Sequence, residues 1–281
     1  MRRRGTAHLA GIIPVIHNSS EFNMDWHDCL MPIAPGYTAI EHCVYECAMA
    51  GCHTIWIVAT DDVSPLVRRR IGDFIQDPVF VGRKSKFPSK DRRPIPVFYI
   101  PSDNSYDSAA WSIVHGASRV AEVSSSISKW IAPEKFYVSF PYGVYDVKFL
   151  RQYRQSIINE DNVLLSSGGR TVRDGEYMAF TFGVKDLKES SRLLNKLENE
   201  NLFNDQEENI KDVFSLDKIF SRVIIQGSEQ IELSYCHSID SWDNYCDYLS
   251  SSHSRELKHP GKLIISYREW NPVGIEDQTG G

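Results

Sequence analysis

The sequence predicts an α/β fold in which helices cover both faces of a mostly parallel, mixed sheet, giving three layers. Strand-like and helical segments alternate through the first half of the chain, which is the order that parallel sheets require. The strand-like runs are continuously apolar, as expected for strands buried on both faces. With 281 residues, 42% of them hydrophobic, the chain can form a large core. We expect one domain over residues 1–281, divided into a core half (6–146) and a second half with a C-terminal extension (147–281).

The first elements are the clearest. The run 7–16 is apolar apart from His8 and predicts a buried strand. Residues 38–41 match a capping box, so a helix should begin there. We expect this helix to reach about Ala50, because Gly51 is a residue that ends helices.

The alternation continues after this helix. Residues 53–60 are rich in β-branched and aromatic residues, which favours a strand. Ser64 and Pro65 supply a cap and a first-turn proline for a second helix. The later predictions are a helix over 64–74, strands over 95–100, 136–140, 177–182 and 262–267, a helix over 107–130, and a helical segment over 187–217.

Composition excludes several classes of protein. The net charge of −6 argues against binding to nucleic acid, because such affinity comes from clustered Lys and Arg. No apolar run approaches the roughly 20 residues that span a bilayer, and the first residues do not form a cleavable signal. We therefore expect a cytoplasmic protein without a membrane partner. The six cysteines contain no C-x-x-C pair, which favours reduced, packed thiols.

A resemblance to a known family rests on three segments in order. These are the strand with Leu9, Ala10 and Gly11, the segment 30–33 (Leu-Met-Pro-Ile), and the helix and strand over 38–60. Together they resemble the GT-A-type nucleotidyltransferases, which include the sugar-phosphate pyrophosphorylases and cytidylyltransferases. The resemblance implies a Rossmann-like GT-A fold with a nucleotide-binding half and an acceptor-side half. A fainter resemblance is to divergent sequences of tailed bacteriophages, for which the location would be the host cytoplasm.

The resemblance also implies site residues. Leu9, Ala10 and Gly11 would bind the nucleotide at the strand end, and Ser108 and Ala109 would lie beside its base. The segment 136–146 stands where the family strand ends in a Gly-Asp pair whose aspartate holds Mg²⁺, which makes Asp146 a candidate catalytic and metal-binding residue. The segment 239–245 resembles the family's end motif, so Asp240 is a second metal candidate.

The chain departs from the family where phosphate chemistry is done. Ile12, Ile13 and Pro14 replace the loop Gly, Ser or Thr, and Arg, and such residues do not readily form an amide-lined phosphate cradle. Asp28 replaces the family lysine, and it would repel phosphate. Asp28 and His27 remain as candidate catalytic groups in the polar cluster 25–28.

Several residues have structural alternatives. Asp146 could instead cap a helix over 147–157, and Asp240 could cap a helix over 242–249. The cluster 25–28 could be a polar loop tip. A basic loop before the strand 95–100 could be solvated, or it could cover an anionic ligand with Lys84 and Lys86; its basic residues are Arg83, Lys84, Lys86, Lys90, Arg92 and Arg93.

Three functions remain open from the sequence. The first is a divergent nucleotidyltransferase that uses Mg²⁺, a nucleoside triphosphate and a sugar phosphate or similar small phosphorylated acceptor. The second is a catalytically degenerate scaffold that acts as a structural or interaction protein, and that forms part of a phage if the fainter resemblance holds. The third is a glycosyltransferase, for which only Asp61 and Asp62 resemble the required Asp-x-Asp motif. A homo-oligomer is compatible with each.

Overall fold

The computed structural model describes residues 8–16, 27–79, 94–102, 108–127, 132–159, 162–203, 214–223 and 228–260. The predicted basic loop with Lys84 and Lys86 lies outside the described residues. So do the predicted strand 262–267 and the first part of the cluster 25–28.

The central sheet is mixed and mostly parallel. The strands in chain order are β1 (Leu9–Pro14), β2 (Pro32–Ala34), β3 (Tyr37–Thr38), β4 (Thr54–Ala59), β5 (Phe74–Gln76), β6 (Pro94–Pro101), β7 (Lys135–Val138), β8 (Gly143–Val144), β9 (Val163–Ser166), β10 (Phe180–Gly183), β11 (Glu229–Glu232) and β12 (His237–Ser238). Eight of them form one sheet in the order β11-β9-β10-β7-β1-β4-β6-β5. The pairs β1–β4, β1–β7, β4–β6 and β9–β11 are parallel, whereas β10 and β5 are antiparallel to their neighbours.

Helices cover both faces of this sheet. In chain order they are α1 (Ala39–Ala50), α2 (Ser64–Ile71), α3 (Ala109–Ile127), α4 (Leu150–Asn159), α5 (Val184–Phe203), α6 (Leu216–Val223), α7 (Trp242–Ser250) and α8 (Ser252–Glu256). One apolar core joins α1, α2 and α4 to the sheet, and a second core joins α3, α5 and α6 to the opposite face. The predicted Rossmann-like three-layer α/β fold is confirmed, while the division of the chain at residue 146 stays a prediction.

The side chains of β1 alternate between the two cores. Leu9 and Ile13 pack against the α1 face, and Ala10 and Ile12 pack against the α3 face. Gly11 faces α1, where an added Cβ would lie 2.9 Å from Cys47 Sγ. The absence of a side chain at Gly11 therefore lets α1 approach the sheet closely.

The capping box of α1 is confirmed. The Thr38 backbone N–H and hydroxyl each donate to Glu41 Oε2 at 2.9 Å. The helix ends as predicted at Gly51, whose φ of 96° lies in the left-handed region.

Other boundaries differ from the predictions. The second helix ends at Ile71 instead of residue 74, because Gly72 turns the chain and Phe74 starts β5. Of the predicted helical segment 187–217, the described residues belong to α5, to the start of α6 and to the two residues before it, and residues 204–213 lie outside the described residues. The sequence did not predict β9 or β11, which are only four residues long.

We predict that Gly11→Ala lowers the free energy of unfolding by about 1–3 kcal/mol, because the new methyl group overpacks the contact with α1. Cys47→Ala should reduce this cost by removing Sγ. Urea unfolding of the two single variants and the double variant measures both effects. Gly183→Ala is the matched control, since its Cβ would find no atom nearer than 3.6 Å. Equal losses in the free energy of unfolding for Gly11→Ala and Gly183→Ala would show that the close contact with α1 does not cause the loss.

Candidate functional site

The carboxyl ends of β1, β4 and β7 form one edge of the sheet. In open parallel α/β sheets, ligands bind at this edge. Here Val15 and Ile16 follow β1, and Ser139 and Phe140 follow β7. These residues decide whether the expected ligand cleft is open.

Aromatic side chains close this edge between β1 and β7. The Tyr142 hydroxyl accepts a hydrogen bond from Ile16 N–H at 3.1 Å and donates one to the Ile16 carbonyl. Tyr142 is fully buried, and the ring of Phe140 packs between the rings of Tyr177 and Phe180. The strand end that should lead to a metal-binding aspartate is therefore followed by packed aromatic residues.

The predicted nucleotide-binding residues of β1 lie inside the sheet. Leu9 and Ala10 are fully buried, and Gly11 pairs with Ile55 and Tyr137 on the neighbouring strands. Ile12 to Pro14 continue the strand to its end. The strand thus extends through the positions where the family has its phosphate loop, and the nucleotide role of residues 9–11 stays a prediction.

Ser108 and Ala109 stand at the start of α3, and both are buried. The Ser108 hydroxyl donates to the Phe214 carbonyl at 2.6 Å and accepts from Trp111 N–H at 3.3 Å. Ser108 therefore caps α3 and joins it to the segment before α6. Its predicted contact with a nucleotide base stays a prediction.

His27 and Asp28 are also buried and belong to a short 3₁₀ turn over residues 28–30. His27 Nδ1 accepts from Cys29 N–H at 3.2 Å, which caps that turn. The charge of Asp28 adds to burial in raising the pKa of Tyr142, so Asp28 lies close to the closed strand end. Their catalytic roles stay predictions.

Asp146 and Asp240 do not share a metal-binding cluster in the part of the chain that the structure describes. Asp146 is exposed, and its Oδ1 accepts from Lys148 N–H at 3.0 Å, so it caps a 3₁₀ turn over residues 147–149. Asp240 Oδ1 accepts from Asn244 Nδ2 at 2.8 Å. Among the described residues, no group of three or more His, Cys, Asp or Glu side chains could hold a metal ion.

The alternative prediction that Asp240 caps the last long helix is wrong. Ser241 is the N-cap of α7, and its hydroxyl accepts from Asn244 N–H at 3.3 Å. Asp240 stands one residue too early for this position.

The sequence did not predict the buried carboxylate of Glu46 on α1. Its Oε1 accepts from the hydroxyls of Tyr137 at 2.6 Å and Tyr145 at 2.5 Å, and its Oε2 accepts from the Ser139 hydroxyl at 2.6 Å. Burial raises the pKa of Glu46 to about 7, while the three hydrogen bonds act in the opposite direction. Three hydroxyl donors thus hold a carboxylate in the core.

Comparisons with known proteins show the fold only. The chain matches no protein-family model and no curated protein. It is similar to the structure of a Bacillus anthracis protein described as a glucose-1-phosphate thymidylyltransferase, in complex with sucrose. The TM-score is 0.57 at 12% identity, over 89% of this chain and 97% of that one. A Mycobacterium tuberculosis protein, Rv0371c, matches with a TM-score of 0.48 at 11% identity, over 88% of this chain and 100% of that one.

The first of these similarities agrees with the nucleotidyltransferase-like α/β fold that the sequence predicts. The assignment to the GT-A type and the phage origin stay predictions. Within the described ranges, the helices are all too short or too polar to cross a bilayer.

We predict that Tyr142→Phe lowers the free energy of unfolding by about 1–3 kcal/mol, because both backbone groups of Ile16 lose a buried partner. Urea unfolding at neutral pH measures the change. Tyr153→Phe is the control, since Tyr153 lies half-buried on α4. A Tyr142 variant as stable as the wild type would show that the strand end is not held closed by this hydroxyl.

Glu46 should make stability depend on pH. Its pKa rises from 4.5 to about 7 on folding, so between these values the folded protein holds a proton that the unfolded chain releases. The Glu46 contribution to stability is present below pH 4.5 and is lost as the pH rises towards 7, on the order of 3 kcal/mol in all.

The measurement is the difference in free energy of unfolding between the wild type and Glu46→Gln, followed across this pH range. The difference should change in favour of the variant as the pH rises. Burial lowers the pKa of His42 to about 4, which has the opposite effect on stability, but His42 is present in both proteins and cancels. Glu189→Gln, on the exposed side of α5, is the control. Its difference from the wild type in free energy of unfolding should not change with pH. If the difference for Glu46→Gln were also independent of pH, the raised pKa of Glu46 would be refuted.

Proposed function

We propose that this chain is a binding protein built on a nucleotidyltransferase-like α/β fold, and that it does not carry out metal-dependent nucleotidyl transfer at the carboxyl edge of its sheet. The closure of this edge by Tyr142 is the observation that carries the proposal. Its hydroxyl bonds to both backbone groups of Ile16, where the chain leaves β1. A nucleotide lying along this strand end would have to displace those hydrogen bonds.

The chemistry of nucleotidyl transfer supports the proposal. Negative charge builds up on phosphoryl oxygens in the transition state, so catalysis depends on positioned cations and amide donors. Around the closed edge, the described residues include the strand residues Ile12 to Pro14, the carboxylate of Asp28 and the ring of Phe140. None of these side chains neutralises a phosphate.

The residues predicted to hold Mg²⁺ do not fit the ion. Magnesium prefers a near-octahedral set of oxygen ligands that includes one or more carboxylates and substrate phosphates. Asp146 and Asp240 are each engaged by a hydrogen bond in their own turn, and no third acidic or imidazole group of the described chain joins either of them.

A divergent nucleotidyltransferase is the second candidate, and the similarity to the protein described as a thymidylyltransferase favours it. In this alternative, a nucleoside triphosphate would react with a small phosphorylated acceptor. Asp146 would be the metal-binding carboxylate. Asp146 is exposed, and only its Oδ1 is engaged among the described residues. Lys84 and Lys86 would contact the phosphates. In both candidates we place the protein in the cytoplasm.

We predict no Mg²⁺-dependent release of pyrophosphate when the protein is mixed with ATP, CTP, GTP, UTP or dTTP and hexose 1-phosphates. A coupled pyrophosphate assay measures this, with heat-denatured protein as the blank. The triphosphates with Mg²⁺ should also leave the melting temperature unchanged, because only a ligand of the native state raises it.

Release of pyrophosphate above the blank would overturn the binding-protein proposal. If Asp146→Asn then abolished the release while Asp247→Asn, an exposed position on α7, retained it, the second candidate would hold.

A further inference from the structure

Residues 252–259, which comprise α8 and the residues after it, form a strap beside the start of α1. Glu256, Leu257 and Lys258 of this strap build one wall of a pocket of about 200 Å³. The other walls come from the start of α1, the turn over residues 147–149 and the segment before β12. A displacement of the strap would therefore open the pocket.

The charges of the pocket are balanced. Lys148 and Lys258 supply two ammonium groups, and Asp146 and Glu256 supply two carboxylates. This balance does not select one class of ligand. The contacts that hold the strap, in contrast, have a definite chemistry.

The strap depends on its side chains for its position. Its helix α8 has five residues, whereas isolated helices shorter than about 12–15 residues are marginal in water. Ser251 caps α8 by accepting a hydrogen bond from Ser254 N–H at 3.2 Å, and Leu257 N–H donates to the His253 carbonyl at 3.0 Å. The Leu257 side chain packs at the edge of the apolar cluster that contains Tyr37. The remaining contacts of the strap come from its two histidines.

His253 joins the strap to β12. Its Nδ1 lies 2.9 Å from Nε2 of His237, within hydrogen-bond distance. In such a contact one nitrogen donates and the other accepts, and an accepting ring nitrogen carries no proton. One of the two imidazoles must therefore stay neutral, so the pair in contact carries one positive charge at most. Two separated imidazoles can carry two.

The rings around this pair are uncharged near neutral pH. The Tyr235 ring stacks on the His253 ring with centroids 3.7 Å apart and an interplanar angle of 8°, and the Tyr248 ring of α7 lies 5.4 Å from the His237 ring. Burial raises the pKa of Tyr235 to about 12 and raises that of Tyr248 as well. Neither phenol therefore compensates a positive charge on the imidazoles.

Two carboxylates lie on the other side of Tyr235. The charges of Asp146 and Glu256 add to burial in raising its pKa. They favour one imidazolium in the pair, but they cannot supply the second, because the accepting nitrogen has no room for a proton. Burial lowers the pKa of His237, and the charge of His253 adds to the effect. Repulsion between the two imidazoles thus opposes a second proton.

The far end of the strap responds to pH in the opposite direction. His259 Nε2 lies 3.8 Å from Glu41 Oε1, and its ring meets the Tyr37 ring edge-on with centroids 5.2 Å apart. Glu41 also pairs with Arg70 at 3.0 Å. A proton on His259 strengthens the contact with Glu41, but this carboxylate already has a cationic partner.

We propose that the strap is a pH-dependent wall of the pocket, held in place at neutral pH by the contact between His237 and His253 and displaced in mildly acidic solution when both imidazoles are protonated. An ordinary imidazole has a pKa of about 6.5, so the displaced strap binds more protons below this value. The contact is fully present above about pH 6.5 and is lost as the pH falls below it. The proposal goes beyond the binding-protein function and does not depend on it.

Hydrogen exchange of the backbone, followed by mass spectrometry of the whole chain from about pH 7.5 to about pH 5, tests the proposal. Protection is expressed relative to the intrinsic exchange rate at each pH. We expect the protection of the strap amides, among them Leu257 N–H, to fall with pH and to approach a tenfold loss per pH unit, because displacement takes up one more proton. The amides of β1 in the same molecule are the reference and should not lose protection in parallel.

Two variants remove one titrating imidazole and keep a hydrogen-bonding group. The amide of His237→Gln takes the place of Nε2, and the amide of His253→Asn takes the place of Nδ1. Each variant should keep the strap protected at neutral pH and abolish the loss of protection at low pH. If one of them loses the strap at neutral pH, the other still decides. His115→Gln, on α3 at the opposite face of the sheet, is the matched control and should keep the wild-type profile.

Four results would overturn the proposal. The first is strap protection that does not change with pH in the wild type, and the second is a parallel loss in β1, which would indicate global unfolding. The third is an acid-induced loss that persists in both His237→Gln and His253→Asn. The fourth is abolition of the loss by His259→Gln, since removing the opposing contact with Glu41 should increase the loss. None of these results bears on pyrophosphate release.

Discussion

The buried carboxylate of Glu46 is the interaction on which the arrangement of the site depends. It joins α1 to Tyr137 on β7, to Ser139 at the end of that strand and to Tyr145 beyond it. A carboxylate without such partners would be costly in the core, so the three hydroxyl donors stabilise the packing of α1 against these residues. The segment 139–145 is therefore fixed to α1 at both of its ends.

This fixed segment determines two features of the protein. In its middle, the rings of Phe140 and Tyr142 close the carboxyl edge beside Ile16. Directly after it, Asp146 emerges into solvent beside the pocket that contains His42 and Tyr235. The fold is similar to that of a protein described as a glucose-1-phosphate thymidylyltransferase, and a shared fold does not imply a shared function. The segment 139–145 thus closes the carboxyl edge of the sheet and also positions Asp146 at the pocket.

Local patterns in the sequence predicted the parts of the fold that local interactions determine. The strand β1, the capping box of α1 and the left-handed Gly51 follow from apolar runs and helix-end residues, and all three are confirmed. The strand β11 was missed because its sequence is polar and only Ile231 is buried. Asp240 was taken for a helix cap because Asp and Ser serve equally well there, and the sequence alone could not choose the register.

The chemistry of the site was less accessible to sequence reasoning. One signal for Glu46 was present, since it is a single charged residue within the apolar run Cys43 to Ala50, and such a residue needs buried partners. Its partners lie about 90 residues later, and no local pattern specifies hydroxyl donors at that distance. The pocket combines four separate segments of the chain, so its charge balance became visible only in three dimensions.

We propose that the described part of the carboxyl edge of the sheet holds no divalent metal for phosphate chemistry. Water-proton relaxation in titrations with Mn²⁺, a paramagnetic substitute for Mg²⁺, measures this binding, with and without a nucleoside triphosphate. We expect the protein to leave the relaxation rate of Mn²⁺ and of the Mn²⁺–nucleotide complex unchanged. A saturable enhancement that Asp146→Asn abolishes and Asp247→Asn retains would contradict it.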